Sequence, residues 1–306
     1  MQFTLICSRG ILSNIAYIKM PIYSKYTTVS LQEIDFVVKL YYKEKYMKKL
    51  QAKKGFICDM DGVIYHGNKL IDGVKEFVEW LYANDKQFLF LTNNSQKSPK
   101  ELQQKLSRMG LKVPEKNFYT AALATASFLK SQGATTAYVI GDAGLFNDLY
   151  EVGITIKDVD PEYVVIGETE NYNFESIKKA TKLVNRGALL IGTNSDITTP
   201  TEHGEVPACK ALVAPVEYAT SKKAYFVGKP NPLMMRAAMQ RFHANGIHSP
   251  DVAMIGDRMD TDMIAAIEGG LDPVLVLSGV SSSETVKRFP YRPRLILNNV
   301  GDIAKI

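Results

Sequence analysis

A chain of 306 residues, 46% hydrophobic and 23% charged, has the make-up of a globular protein and room for two domains, or for one domain with a large insertion. The net charge of +5 is local: residues 1–54 hold 10 Lys/Arg against 3 Asp/Glu, and residues 55–306 hold 27 against 29, so the near-neutral body argues against a nucleic-acid partner. Cys7, Cys58 and Cys209 are scattered and show no C-x-x-C, which favours a reduced cytoplasm over a disulfide scaffold, and no apolar run approaches the 18 residues of a membrane span.

Residues 1–46 differ from the rest. Met1 to Ser30 contains no acid, and Lys39 to Lys54 alternates Lys with Tyr. A transit peptide, a membrane-surface helix and a nucleic-acid arm are the functional readings. The plainer expectation is an amino-terminal extension over 1–46, disordered or produced by an over-long translation start with Met47 as the true beginning. Globular patterning starts only near Gly55.

Residues 55–131 alternate strand and helix. Phe56–Cys58 is a short apolar strand, and Val74, Phe77, Val78 and Leu81 follow at i, i+3, i+4, i+7, one helix face. Phe88–Leu91 is a second buried strand. Ser98-Pro99-Lys100-Glu101 spells a capping box with proline at the first helical position, opening a helix lined by Leu102, Leu106 and Met109. Phe118–Thr120 reads as a third strand and Ala121–Lys130 as a third helix. From Ala134 a second rhythm begins, with strands at Ala137–Ile140, Tyr163–Ile166 and Leu189–Ile191 and helices at Gly144–Tyr150 and Phe174–Asn185. The first type of unit resumes with strands at Tyr225–Val227, Val252–Ile255, Pro273–Leu277 and Leu295–Leu297. This order predicts an α/β fold: a Rossmann-like parallel-sheet core covered by helices on both faces, with an inserted α/β module.

Four polar clusters stand at the carboxyl ends of the predicted core strands: Asp59/Asp61, Thr92-Asn93-Asn94, Gly228-Lys229-Pro230 and Gly256-Asp257…Thr261-Asp262. In an open parallel sheet those ends form one rim, where ligands bind. Each cluster alone is weak, since a lone D-x-D equally suits an Asx-turn. Together they provide the parts of phosphoryl transfer. Asp59, nearest its strand, is the natural nucleophile, and Asp61 is placed to protonate the leaving alkoxide and later deprotonate water. Asp59 and Asp257 are hard oxygen ligands suited to Mg²⁺. Thr92 offers a hydroxyl, Asn93 an amide and Lys229 a compact positive charge. Asn231 and Pro232 read as a cap and first turn for the helix of Leu233, Ala237 and Ala238.

Two decoys repeat these patterns in the inserted stretch. Gly141-Asp142 follows an apolar run, and Thr193-Asn194 repeats the Thr-Asn pair, but no Thr-Asp pair follows Asp142 at the needed spacing, so it reads as a loop acid. No G-x-S-x-G, Walker loop or G-x-G-x-x-G is present, and the histidines show no zinc spacing.

The D-M-D-G-V, T-N-N, G-K-P and G-D-x-x-x-T-D series resembles the haloacid dehalogenase superfamily, in particular its phosphatases with a large inserted α/β cap, from Gly55 to the end of the chain. Gly167-Glu168-Thr169-Glu170-Asn171-Tyr172-Asn173, Pro207-Ala208-Cys209-Lys210-Ala211-Leu212, Leu277-Ser278-Gly279-Val280-Ser281-Ser282 and Tyr291-Arg292-Pro293 resemble the NagD-type group more narrowly. The resemblance implies a phosphatase core at 47–131 and 223–306 and a cap at 132–222. It implies that Asp59 is nucleophile and metal ligand, that Asp61 is acid/base with its main-chain carbonyl a second ligand, and that Asp257 is the third. Thr92, Asn93 and Lys229 would hold the phosphoryl group, and Asp262 would support the outer shell of Mg²⁺. Arg258, Met259, Asp260 and Thr261 would lie near the substrate. Glu168, Thr193, Asn194, Asp196 and His203 are cap candidates for leaving-group contacts, with a plain loop role as the alternative for each. The expected partner is a small phosphorylated metabolite, with a nucleoside monophosphate preferred over phosphoglycolate, pyridoxal phosphate or a sugar phosphate. The resemblance also allows a homodimer through the cap. Metal-free carbon–halogen hydrolysis and a non-catalytic phosphate-binding role are the other classes, both disfavoured by the full acid set.

Overall fold

The computed structural model describes residues 31–201 and 204–305, so the expectations for residues 1–30 lie outside it. The chain divides into two compact units, Met1–Lys45 and Tyr46–Ile306. In the first, the described part of the expected extension is helical from Leu31, within a helix that spans Leu31–Gln51. That stretch holds neither Gly nor Pro and is rich in Leu, Lys, Glu and Gln, which favours helix. Lys48 and Lys49 complement the dipole of its last turn, and Met47 and Leu50, three apart, are buried in the core of the second unit.

The second unit holds two parallel sheets. The first has six strands in the order Leu295–Leu297, Asp272–Val276, Val252–Gly256, Gly55–Cys58, Gln87–Thr92 and Phe118–Thr120. Its central strand Gly55–Cys58 is buried on both faces, as a continuous apolar run requires, and pairs Phe56 with Ala253 on one side and Phe88 on the other. On one face the helix Val74–Ala83 buries Val74, Phe77, Val78 and Leu81, and Phe56 meets Phe77 and Trp80 edge-on. The helix Pro99–Arg108 starts on the expected capping box of Ser98 and Glu101. On the other face the helices Ala121–Ser131 and Pro232–His243 cover Ile57, Leu89 and Leu91. Asn231 caps the latter through Leu233 N.

The second sheet runs Tyr225–Phe226, Leu189–Gly192, Tyr163–Ile166, Thr136–Ile140 and Thr155–Ile156, again all parallel. Here one expectation is corrected. The strand expected at Tyr225–Val227 does not return to the first sheet; Tyr225 pairs with Ile191, and Val227 N donates to Gly192 O. Two residues of strand suffice to close that edge, and an apolar run in sequence carries no mark of which sheet it joins. The sequence reading also lacked the antiparallel hairpin Thr198–Thr201 with Gly204–Pro207, and the helix Cys209–Thr220, whose interior Pro215 reads as a breaker. Val139, Leu145, Val165 and Ile191 of this module share one apolar cluster with Ile57, Leu89 and Leu91 of the first. Among the described residues no helix is long and apolar enough to cross a membrane.

Candidate active site

Three neighbouring parallel strands, Val252–Gly256, Gly55–Cys58 and Gln87–Thr92, end on Asp257, Asp59 and Asn93. The chain leaves the central strand toward one side and later returns on the other, so this rim is a topological switch point, where open α/β sheets bind ligands. Asp59 N continues the ladder by donating to Ile255 O, which fixes where its side chain leaves the sheet.

Lys229 reaches this rim from the edge of the second sheet. Its Nζ lies 2.8 Å from Asp59 Oδ1 and 2.7 Å from Asp262 Oδ1, and the residue is only 1% exposed. Burial alone would lower its pKa, but the Asp262 and Asp59 carboxylates reverse this and hold the ammonium charged. Asp59, Asp257 and Asp262 offer oxygens that all lie within 4.8 Å of one another. Burial, Asp262 and Asp59 push the Asp257 carboxyl up to about 8; burial and Asp59 push Asp262 up to about 6. With all three acids ionised, three carboxylates would face one ammonium, a shortage of positive charge that raises their carboxyls and that a cation would relieve.

The donor set shows where a cation fits. Asp262 is already engaged: Oδ1 takes Lys229, and Oδ2 accepts from the main-chain N–H groups of Asp257 and Arg258 at 3.1 Å each. Asp257 Oδ2 accepts from Val280 N at 2.7 Å, whereas Asp257 Oδ1 is buried with no hydrogen-bond partner. A buried carboxylate oxygen without a donor is costly, and an all-oxygen set suits a hard divalent ion. The loop that holds Asp257 comes very close. A Cβ at Gly279 would sit 2.0 Å from Asp257 Oδ2, so only glycine fits there.

The carboxylate of Asp61 is not part of this group. It is exposed and accepts from Tyr65 OH at 3.2 Å, while Lys105 Nζ lies 3.6 Å from the Tyr65 ring centroid. Close surroundings raise the Asp61 carboxyl, with Lys105 and the Tyr65 hydroxyl opposing; its contact with water limits that rise. Thr92 Oγ1 accepts from Asn94 N, which leaves its proton free to point elsewhere. The Asn93 amide is fully used: Nδ2 donates to Lys229 O and Asp196 Oδ2, and Oδ1 accepts from Lys229 N.

The stretch after Asp257 divides. Arg258 and Asp260 form a two-point ion pair at the surface. Met259 packs in a small apolar cluster with Met263, Leu275 and Val286, its carbonyl accepting from Tyr291 OH, and Thr261 is buried. In the inserted module, Glu168 and Asn194 are buried and hydrogen-bonded to the loop after Thr92, while Asp196 reaches Asn93. His203 lies outside the described residues. Sequence reasoning passed over Tyr65, Lys105, Ser95 and the Val280 N–H. Of these, only Val280 stood in a stretch with a signal, Leu277-Ser278-Gly279-Val280-Ser281-Ser282, through its likeness to the NagD-type group.

Residues 56–155 match the family described as Haloacid dehalogenase-like hydrolase, and residues 226–303 match a companion HAD-like family. Dihydroxyacetone phosphatase of Corynebacterium glutamicum is 43% identical over 250 residues, 81% of this chain and 90% of that protein. Ribonucleotide monophosphatase NagD of Escherichia coli K12 is 39% identical over 255 residues, 83% of this chain and 99% of that one. This chain belongs to the haloacid dehalogenase-like hydrolases. The solved NagD structure superposes on the hydrolase with a TM-score of 0.77 at 38% identity, covering 83% of this chain and 98% of NagD. The 4-nitrophenylphosphatase of Thermotoga maritima reaches 0.80 at 33% identity, with 84% and 98% covered. These relatives are phosphatases, and the hydrolase is a phosphoric monoester hydrolase.

Proposed function

We propose that this hydrolase cleaves a small phosphomonoester, with Mg²⁺, through an aspartyl-phosphate on Asp59. One arrangement carries the reading: Asp59 held by a buried lysine beside Asp257, whose inner oxygen lacks a donor. Asp59 attacks phosphorus in line as the ester P–O bond breaks, and Asp61 gives its proton to the departing alkoxide. Asp61 then takes a proton from water, whose oxygen attacks phosphorus; the acyl-phosphate P–O bond breaks, releasing inorganic phosphate and the Asp59 carboxylate. Lys229 and the Thr92 hydroxyl face the equatorial oxygens. Asn93 contributes through its main chain, because its amide is engaged elsewhere. Asp59, Asp257 and the Asp61 carbonyl would hold Mg²⁺, with Asp262 outside them; when bound, the ion offsets negative charge spreading over the transferred group.

The core is taken as 47–131 with the chain from Gly228 onward, and the cap as the stretch between; the pairing of Tyr225 with Ile191 supports moving the second boundary beyond 222. A nucleoside monophosphate is the substrate class tested first, supported by the likeness to NagD and the stretch 167–173. Dihydroxyacetone phosphate is the second, on the 43% identity to its phosphatase. Two copies pairing through the cap would cover exposed Phe174 and Tyr218, which stand on the two helices, Phe174–Asn185 and Cys209–Thr220, that pack on one face of the second sheet. Buried free thiols at Cys58 and Cys209 suit the cytoplasm.

Phosphate release from nucleotides, dihydroxyacetone phosphate, phosphoglycolate, pyridoxal phosphate and sugar phosphates, with Mg²⁺ or EDTA, tests the proposal. Activity restricted to Mg²⁺ and led by a nucleotide is expected. Full activity in EDTA overturns the metal assignment, and equal, weak turnover of all compounds overturns the nucleotide preference.

A further inference from the structure

Glu168 is a carboxylate buried in the seam between the two sheets, away from the acid cluster that surrounds Lys229. It follows the second-sheet strand Tyr163–Ile166, and its side chain spans to the loop after the first-sheet strand Gln87–Thr92. Oε2 accepts from Ser95 N at 3.2 Å and from the Ser95 hydroxyl, and Oε1 accepts from Asn194 Nδ2. The Glu168 main-chain N–H and the Thr193 hydroxyl donate in turn to Ser95 Oγ at 3.3 and 3.1 Å. A buried carboxylate is costly unless its oxygens are met by donors, so this site was built for an acid.

The chain of contacts ends at the nucleophile. Asn194 Nδ2 also donates to Asn93 O at 2.7 Å. The Asn93 amide grips both main-chain groups of Lys229, whose ammonium touches Asp59. Backbones approach closely along this route: a Cβ at Gly228 would lie 2.7 Å from Asn194 Cβ and 2.8 Å from Asn93 Oδ1. Every polar atom of the Asn93 and Asn194 side chains is bonded, so neither amide can turn without leaving a buried group unpaired.

We propose that Glu168 is a positioning residue, which fixes Ser95 and Asn194 so that Asn93 and Lys229 are held in register for the phosphoryl group. This rests on the reading of Asp59, Asn93 and Lys229 given above. It also replaces the expectation that Glu168 contacts the leaving group, since both its oxygens are occupied within the seam. Glu168→Gln keeps the size but turns an amide donor toward donors.

The test uses the full chain with Mg²⁺, 4-nitrophenyl phosphate as substrate and inorganic phosphate as inhibitor, with rates normalised to folded enzyme by thermal melting. Glu168→Gln is expected to lower kcat about 10- to 100-fold, the range seen when an orienting partner is removed, and to weaken inhibition by phosphate. Ser95→Ala, which removes the three hydrogen bonds of Ser95 Oγ but takes only one donor from the Glu168 carboxylate and keeps Ser95 N, should show the same pattern to a smaller degree and carries the test should Glu168→Gln not fold. Glu170→Gln, on the exposed neighbour, should leave both constants unchanged. A lowered melting temperature with kcat and phosphate inhibition intact would reduce Glu168 to a structural role and overturn the proposal. Asp59→Asn is run beside them. If it stays active, the reading of the site fails; if it is dead while Glu168→Gln and Ser95→Ala match the wild type, only the positioning role fails.

Discussion

Both sheets end their strands on acids, yet the two rims are chemically unlike. In the first sheet, Asp59, Asp257 and Asp262 crowd one ammonium, and Asp257 Oδ1 has no donor. In the second, Asp142 accepts from Gln96 Nε2 at 2.8 Å and from Thr169 Oγ1 at 2.6 Å, and Glu168 is met by Ser95 and Asn194. A carboxylate at a strand end is therefore not itself a sign of chemistry. What separates the rims is whether neutral donors already satisfy the acids or leave an excess of negative charge that a cation can offset.

The largest expected contrast is Asp59→Asn, which removes the nucleophile with little change of shape. A loss of kcat of at least about 10⁴-fold is expected, read in steady-state phosphate release. Comparable activity in the variant would put the reaction elsewhere. Asp262→Asn replaces one of two oxygens, of which Oδ1 orients Lys229 and Oδ2 the Asp257 main chain, and the apparent affinity for Mg²⁺ should fall about 10- to 100-fold in activation titrations.

Asp148 sharpens the comparison from the second region. It sits on the helix Ala143–Glu151, with Oδ2 buried and unpartnered. Burial pushes its carboxyl up to about 7, against a hydrogen bond from the Thr120 side chain. A folded pKa above the unfolded one means that the native state binds the extra proton. Its stabilising contribution is whole below about pH 4, fades as pH rises toward 7 and is absent above. Melting curves of Asp148→Asn should gain on the wild type across that window and run parallel to it beyond; a constant offset at all pH values would contradict this. The smallest effect is expected at Asp142→Asn: stability lowered by no more than about 1 kcal/mol and kcat nearly unchanged, because Gln96 and Thr169 can still pair with the amide.

Much of this was readable in order along the chain. The helix of Val74, Phe77, Val78 and Leu81, the Ser98–Glu101 box and the strands Phe118–Thr120 and Leu295–Leu297 follow from local periodicity and caps, and local rules act within a few residues. The edge strand at Tyr225 did not follow, because sheet membership is decided by a partner more than thirty residues away. The helix through Pro215 was hidden by a residue that usually stops helices. At the site, Asp59, Asp257, Asp262 and Lys229 were legible as charged residues at strand ends. Tyr65, Lys105 and Ser95 were not, since each acts through a neighbour that only folding supplies.

The order of residues set the alternation of strand and helix, and with it the parallel rim where the acids after Cys58 and Gly256 must meet. It did so because burial on both faces and short crossovers leave few ways to arrange such strands. Only the packed molecule decided which acids stay short of donors. Asp61 turns to Tyr65, Asp262 is saturated by Lys229 and two main-chain N–H groups, and Asp257 keeps one oxygen bare. Hydrogen bonds are satisfied by whatever lies within about 3 Å, and that company comes from distant parts of the chain.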